Sequence, residues 1–170
     1  MRNPAESVRI GHGYDLHRLE PRPPAGQGRA LVVGGVGLDF DRGPIAHSDG
    51  DALLHAVTDA LLAAAGMPDI GQLFPDNDPA HHSRDSREFL RAAADRVRGA
   101  GWIIANIDAT VILEKPKVSP HKDAMRSNIA AALDIDVSRV GVKGKTHERV
   151  DAVGESRAIE VHAVALLVRD

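Results

Sequence analysis

Residues 51–66 read DALLHAVTDALLAAAG. Leu53, Leu54, Val57, Leu61 and Leu62 fall on one broad apolar stripe at helical spacing, and Gly66 followed by Pro68 supplies stop signals. Either Ser48 or Asp49 is placed to cap the helix. A second, narrow stripe carries Asp51, His55 and Asp59 at successive i,i+4 positions. Two readings of it stand. The carboxylates orient the His55 imidazole through its second nitrogen, or they are the solvated side of an amphipathic helix, with Asp51 favoured by the N-terminal dipole.

Outward from this helix, the pattern changes to strands. VRIGHGYDLHRL (8–19) alternates roughly, with a glycine irregularity. PRPPAGQG is a loop, ALVVGGVGLDF (30–40) reads as two short strands about a glycine turn, and RGPIAHSDGD as a polar connection. Beyond the helix, MPDIGQLFPDNDPAHHSRDS is a loop with three prolines. REFLRAAADRVRGAG returns to helical periodicity, and WIIANIDATVILEKPK is a long strand. Ser119-Pro120 opens a helix through IAAALD, and RVGVKGKTHE and AIEVHAVALLVRD supply two final strands. This order does not divide into regular βαβ units. It predicts an α+β fold, a sheet with helices packed on one face, in a single domain spanning residues 1–170 without repeats or linkers.

Composition narrows the chemistry. With 43% apolar and 26% charged residues the chain is of ordinary globular type, and 3% aromatics leaves an aliphatic core. Twenty-one Lys and Arg against 24 Asp and Glu give a net charge of −3, so no nucleic acid or anionic membrane is expected as a partner. An anionic ligand must be met by local cations or a metal. The absence of cysteine removes thiolate nucleophiles, disulfides and Cys-ligated zinc. No signal-type or membrane-length apolar run occurs, and the chain reads as cytoplasmic.

Residues two apart on a strand share a face, so Asp15 and His17 address one point. They offer an oxygen and an imidazole nitrogen, both suited to zinc; the plain alternative is a surface pair satisfied by nearby backbone. His47 and Ser48 stand just before a helix start, where backbone N–H groups favour phosphate. DIGQLFPDND (69–78) suits a hydrated cation or simply a loop. Lys115 and Lys117, then Lys143, Lys145, Thr146 and Glu148, cluster at strand ends, where they serve either phosphate contacts or solubility. His12, His81, His82, His121 and His162 read as loop, surface or hydrogen-bonded core residues.

RIGHGYDLHRL, AHSDGDALLHAVTDALLAAAG, DIGQLFPDNDP, KPKVSPH and VKGKTHE, in this order, resemble the 2-C-methyl-D-erythritol 2,4-cyclodiphosphate synthases of non-mevalonate isoprenoid biosynthesis along almost the whole chain. The resemblance implies a ferredoxin-like mixed sheet in a homotrimer with active sites at the subunit interfaces. It implies that Asp15, His17 and His55 hold one divalent metal per subunit, usually zinc, and that a second cation, Mg or Mn, enters with the substrate. His47 and Ser48 would contact the methylerythritol phosphate. Asp69, Ile70, Gly71, Phe74, Pro75, Asp76, Asn77 and Asp78 would surround its diol. Leu113, Lys115, Lys117, Val118 and Ser119 would hold cytidine, and Lys145, Thr146, His147 and Glu148 the diphosphate and second cation, with His47 and Thr146 serving catalysis.

The implied reaction is attack of the substrate's own 2-phosphate on the β-phosphorus of its CDP group, releasing CMP. Positioning and charge stabilisation carry it, without a protein nucleophile. Near the C-terminus many members read T-T-T-E and then G-x-T-G-R-G-E-G, whereas this chain has KTHE and VDAVGESRAI, with Glu155 at the arginine position and Arg157 close by. Two competitors remain: a zinc hydrolase that activates water, and a metal-stabilised binding module without turnover.

Overall fold

The computed structural model describes residues 4–75 and 84–169. After a short turn of helix, α1 (Pro4–Ser7), the long strand β1 (Val8–Pro21) leads to the hairpin β2 (Leu31–Val33) and β3 (Val36–Leu38), then β4 (Arg42–Pro44). Helices α2 (Ala52–Ala64), α3 (Ile70–Leu73) and α4 (Ser86–Gly99) precede β5 (Ile103–Ile112). Then come α5 (Lys122–Leu133), β6 (Val140–Lys145), α6 (Asp151–Gly154) and β7 (Ala158–Val168). The main sheet runs β4-β1-β7-β5-β6, with β5 and β6 parallel and the other neighbours antiparallel, while β2 and β3 pair separately. The α+β expectation holds.

The period of two along β7 decides which face is covered. Ile159, Val161, Ala163, Ala165 and Leu167 are buried, together with Ile104, Ile107, Ala109 and Val111 of β5, in one core with Leu53, Leu54 and Leu61 of α2, Leu90 and Val97 of α4, and Met125 and Ile129 of α5. Burial of each Val, Leu, Ile or Met side chain among these contributes roughly 1.5–3 kcal/mol. Among the described residues the opposite face is bare of helices, and on it Ile10 (70% exposed), Tyr14, Leu16, Ile103 and Val164 meet solvent in the single chain. His162 stands on this open face, within 3.1 Å of His12 and 2.9 Å of Glu160.

The glycines of GHG have a packing reason rather than a turn. A Cβ on Gly11 would stand 2.1 Å from the Ala60 carbonyl oxygen, and one on Gly13 1.9 Å from that of Ala56. Helix α2 therefore rests directly on the backbone of β1. The next residues on that face are Asp15 and His17, so the closest strand-helix contact in this pair of elements leads straight to them.

The cap of α2 is neither Ser48 nor Asp49. Asp51 occupies the N-cap, its carboxylate accepting the Leu54 N–H at 3.0 Å. The same carboxylate accepts the N–H groups of Gly34 (2.8 Å) and Gly35 (2.6 Å), where φ of +60° and +70° turns the β2–β3 hairpin. Burial pushes the Asp51 carboxyl up to about 6, against the pull of these three N–H donors. At the other end the stop signal acts as expected: Gly66 has φ +68° and Met67 N–H closes on the Leu62 carbonyl at 2.9 Å. Four short elements escape the sequence pattern: α1 ahead of the first strand, β4 within the supposed polar connection, α3 within the proline loop and α6 between the last two strands. No helix among the described residues is long and apolar enough to cross a membrane.

Candidate active site

Asp15 and His17 project from β1 toward α2, and His55 meets them from the first turns of that helix. Asp15 Oδ2 lies 3.2 Å from His17 Nε2 and 3.2 Å from His55 Nδ1, and the two nitrogens are 3.3 Å apart. Ligands about 2.0 Å from a tetrahedral zinc are about 3.3 Å from one another, so this triangle matches one face of such a tetrahedron and leaves the fourth corner open. The donor set of one carboxylate oxygen and two imidazole nitrogens is of the kind that zinc accepts. Among the described residues no other cluster of three such groups is positioned to hold a metal ion.

Charge explains why the three sit together. Burial is the largest single influence on His55 and disfavours its imidazolium, but the hydrogen bond and charge of Asp15, with Asp51 and Asp49 behind, leave its pKa raised. An ion at this point would replace the proton as the positive partner.

Neither stripe carboxylate orients the imidazole. Asp51 faces the hairpin turn, and Asp59 accepts the Ile70 N–H at 2.8 Å, pinning the start of α3. Burial raises the Asp59 pKa despite that N–H. The ring's second nitrogen turns instead to serines: His55 Nε2 is 2.8 Å from Ser86 Oγ and 3.4 Å from Ser48 Oγ. Ser86, fully buried at the start of α4, carries no sequence signal that points to His55.

The triad lies in a cleft of about 350 Å³ lined also by Ile45, Ala46, His47, Ser48, Ile70, Gly71, Phe74 and Phe89. Phe74 packs on Phe89 with ring centroids 4.8 Å apart. Of the segment assigned to a diol, Asp69 caps α3 through the Gln72 N–H at 2.9 Å, and Pro75 is exposed outside the cleft lining. Asp76, Asn77 and Asp78, like His81 and His82, lie outside the described residues.

A second pocket of about 370 Å³ brings together Leu113, Glu114, Lys117, Val118, Ser119, Gly144, Lys145, Thr146 and Glu148. Leu113 and Val118 form its buried floor, while Lys117, Lys145, Thr146 and Glu148 are exposed. Thr146 Oγ1 donates to Glu148 Oε1 at 2.9 Å, and Glu148 and Arg149 hold φ of +51° and +65°. Lys115, joined to Pro116 by a cis peptide, does not line this pocket, and His147 turns to Asp151 at 2.9 Å. Arg157 is paired with Glu155 at 2.7 Å on the surface.

The two pockets share no residue. Asp15 registers with Val161, Val161 with Val111, and Val111 with Gly144. The metal triad and the second pocket are therefore three strand steps apart, about 14 Å across one sheet.

The model of the YgbB family matches residues 8–168. The chain belongs to the YgbB family. Curated relatives carry the name 2-C-methyl-D-erythritol 2,4-cyclodiphosphate synthase. One from Chromobacterium violaceum is 53% identical over 95% of this chain and 98% of its own length. The rice relative, named as chloroplastic, is 52% identical over 98% of this chain and 72% of its own. A solved structure of IspF from Plasmodium falciparum in complex with CDP has a TM-score of 0.83 at 38% identity, covering 96% of this chain and 97% of that one. This YgbB chain spans about two thirds of two other plant relatives and 42% of a bifunctional IspDF from Campylobacter jejuni. The five-stranded mixed sheet with its helices is the fold of these neighbours.

Proposed function

We propose that the chain, as one domain, converts 4-diphosphocytidyl-2-C-methyl-D-erythritol 2-phosphate to 2-C-methyl-D-erythritol 2,4-cyclodiphosphate and CMP, in the non-mevalonate route to isoprenoid precursors. The observation that carries this reading is the triangle of Asp15, His17 and His55 set in a cleft beside His47 and Ser48. The names and near-complete overlap of the bacterial relatives support it. An oxygen of the substrate's 2-phosphate bonds to the β-phosphorus as the bond from that phosphorus to the CMP oxygen breaks, and the electron pair leaves with CMP. When bound, a zinc ion at the triad and a magnesium or manganese ion near Glu148 supply positive charge to the diphosphate oxygens during this exchange.

The chain's own residues fold the substrate so that its two ends meet. Leu113, Lys117, Val118 and Ser119 seat the cytidine, with Lys115 at the rim. Lys145, Thr146 and His147 lie along the diphosphate. Ile70, Gly71 and Phe74 enclose the diol side, with Asp69, Pro75, Asp76, Asn77 and Asp78 completing that loop. His47 and Thr146 stabilise charge on the reacting phosphates. The resemblance to the family supports a complete site that joins the metal cleft of one subunit to the cytidine pocket of the next in a homotrimer of ferredoxin-like subunits, and the two pockets, about 14 Å apart on one sheet, share no residue. The exposed apolar side chains of the open face suit burial between copies. The working location is the cytoplasm, and neither nucleic acid nor membrane is a partner.

The test is incubation with the CDP-linked substrate, Zn²⁺ and Mg²⁺, followed by 31P NMR. Cyclic diphosphate with CMP is expected. Release of inorganic phosphate would mark a hydrolase, and absence of turnover a binding module. His55→Ala should lose bound zinc and turnover while remaining folded; undiminished zinc content would refute the triad as the metal site.

A further inference from the structure

Ser86 Oγ is 2.8 Å from His55 Nε2 and 2.5 Å from Asp49 Oδ1. The Ser86 backbone N–H also reaches Asp49, donating to Oδ2 at 3.0 Å, so Asp49 grips this serine at two points. Asp49 Oδ1 further accepts the Asp51 N–H at 3.2 Å. Proton counting then fixes the direction of the chain. A serine hydroxyl has one proton, and a carboxylate has none to give, so the Ser86 proton goes to Asp49. Oγ is left with lone pairs facing His55, and Nε2 must carry the ring's hydrogen. Nδ1 is then the nitrogen left to face an ion, the atom 3.2 Å from Asp15 Oδ2 and 3.3 Å from His17 Nε2.

We infer that Asp49 and Ser86 are positioning residues of the metal centre, which hold neutral His55 as its Nε2–H tautomer with the Nδ1 lone pair aimed at the ion. The inference rests on reading Asp15, His17 and His55 as metal ligands. It also couples two distant parts of the chain, since Ser86 lies 31 residues from His55 and 37 from Asp49. Ser48, 3.4 Å from Nε2 and accepting the Gly50 N–H at 3.2 Å, is the more distant of the two hydroxyls.

Two measurements on the full chain test it. In the Zn²⁺-loaded protein, 15N-correlated NMR should show the His55 Nε2–H protected from exchange and shifted downfield by its bond to Ser86 Oγ, and Ser86→Ala should shift it upfield and speed its exchange. Titration with Zn²⁺ alone against a chromophoric chelator should show Ser86→Ala raising the zinc Kd about 10- to 100-fold. Asp49→Asn, which keeps the volume and removes the charge, should raise it less. The inference is overturned by a zinc-loaded wild type whose His55 Nε2–H exchanges freely, or by variants whose ring spectrum and zinc Kd equal the wild type's. Should Ser86→Ala fail to fold, Asp49→Asn carries the comparison. A wild type that binds no zinc would defeat the metal reading and this inference with it, whereas a wild type that binds zinc beside unchanged variants would defeat the positioning role alone.

Discussion

The metal cleft and the second pocket lie on one sheet and are built on opposite terms. In the cleft, each member of the triad is held from behind: Asp15 and His17 by a strand in contact with a helix backbone, and His55 by Ser86 and Asp49. In the second pocket the charged groups stand in solvent, and Thr146 holds Glu148 rather than anything buried. The first region is preorganised to receive a small, hard-to-desolvate ion. The second offers cations at a rim, whose attraction is screened by salt until a ligand excludes water.

That contrast is easiest to break at the strand-helix contact. Gly13→Ala places a methyl group against the Ala56 carbonyl and should cost about 3 kcal/mol of stability, the upper end for overpacking, and zinc affinity with it. Urea unfolding and metal analysis check both; a variant of wild-type stability with full zinc would show that the close contact is not what holds the ligands.

Asp51 gives the next largest effect. Its carboxyl is pushed from 3.8 in the unfolded chain to about 6 in the fold, so between these values the native state keeps a proton that the unfolded state has released. The resulting stabilisation is fully present below pH 3.8 and is lost as pH rises through about 6, a swing of about 3 kcal/mol at most. Asp51→Asn should remove it, and the difference between the unfolding free energies of the two proteins, measured from pH 4 to 7, should shrink accordingly.

On the other pocket, Lys145→Ala should raise KM for the CDP-linked substrate about tenfold, the loss of one charge-assisted phosphate contact. Zinc content should not change, and the effect should diminish in high salt. Lys145→Thr should retain more activity than Lys145→Ala if the lysine stands in for a hydroxyl; an equal loss in both would assign it a role of its own. The smallest effect is expected at Arg157→Ala. Its partner Glu155 is equally exposed, and breaking such a pair costs at most about 1 kcal/mol, visible as a small shift in urea midpoint.

Legibility in the sequence follows the same division. The 51–66 helix, its glycine stop, the 30–40 hairpin and the final strand could be read because their signals are local periodicities. Strand spacing could pair Asp15 with His17, whereas His55 joined them only through the family resemblance, since helix spacing left its stripe open to two readings. Ser86 and Asp49 could not be read, since a buried serine at the start of a helix looks like any N-terminal serine until the chain brings His55 against it. The roles of Asp51 and Asp59 escaped for the related reason that each spends its carboxylate on the backbone of another segment, Gly34 and Gly35 for one and Ile70 for the other. β4 is only three residues long and has no alternation to detect.

The alternation along β1 has a further consequence. Asp15 and His17 share their face with Gly11 and Gly13, while Ile10, Tyr14 and Leu16 occupy the other. A slip of one residue against β7 would turn both ligands to the open side and drive Tyr14 and Leu16 into the space that the glycines leave. Bound metal would then act as a vernier for the strand, reporting its alignment in single-residue steps, and folded chains that fail to take up the ion would include those that had paired one notch out.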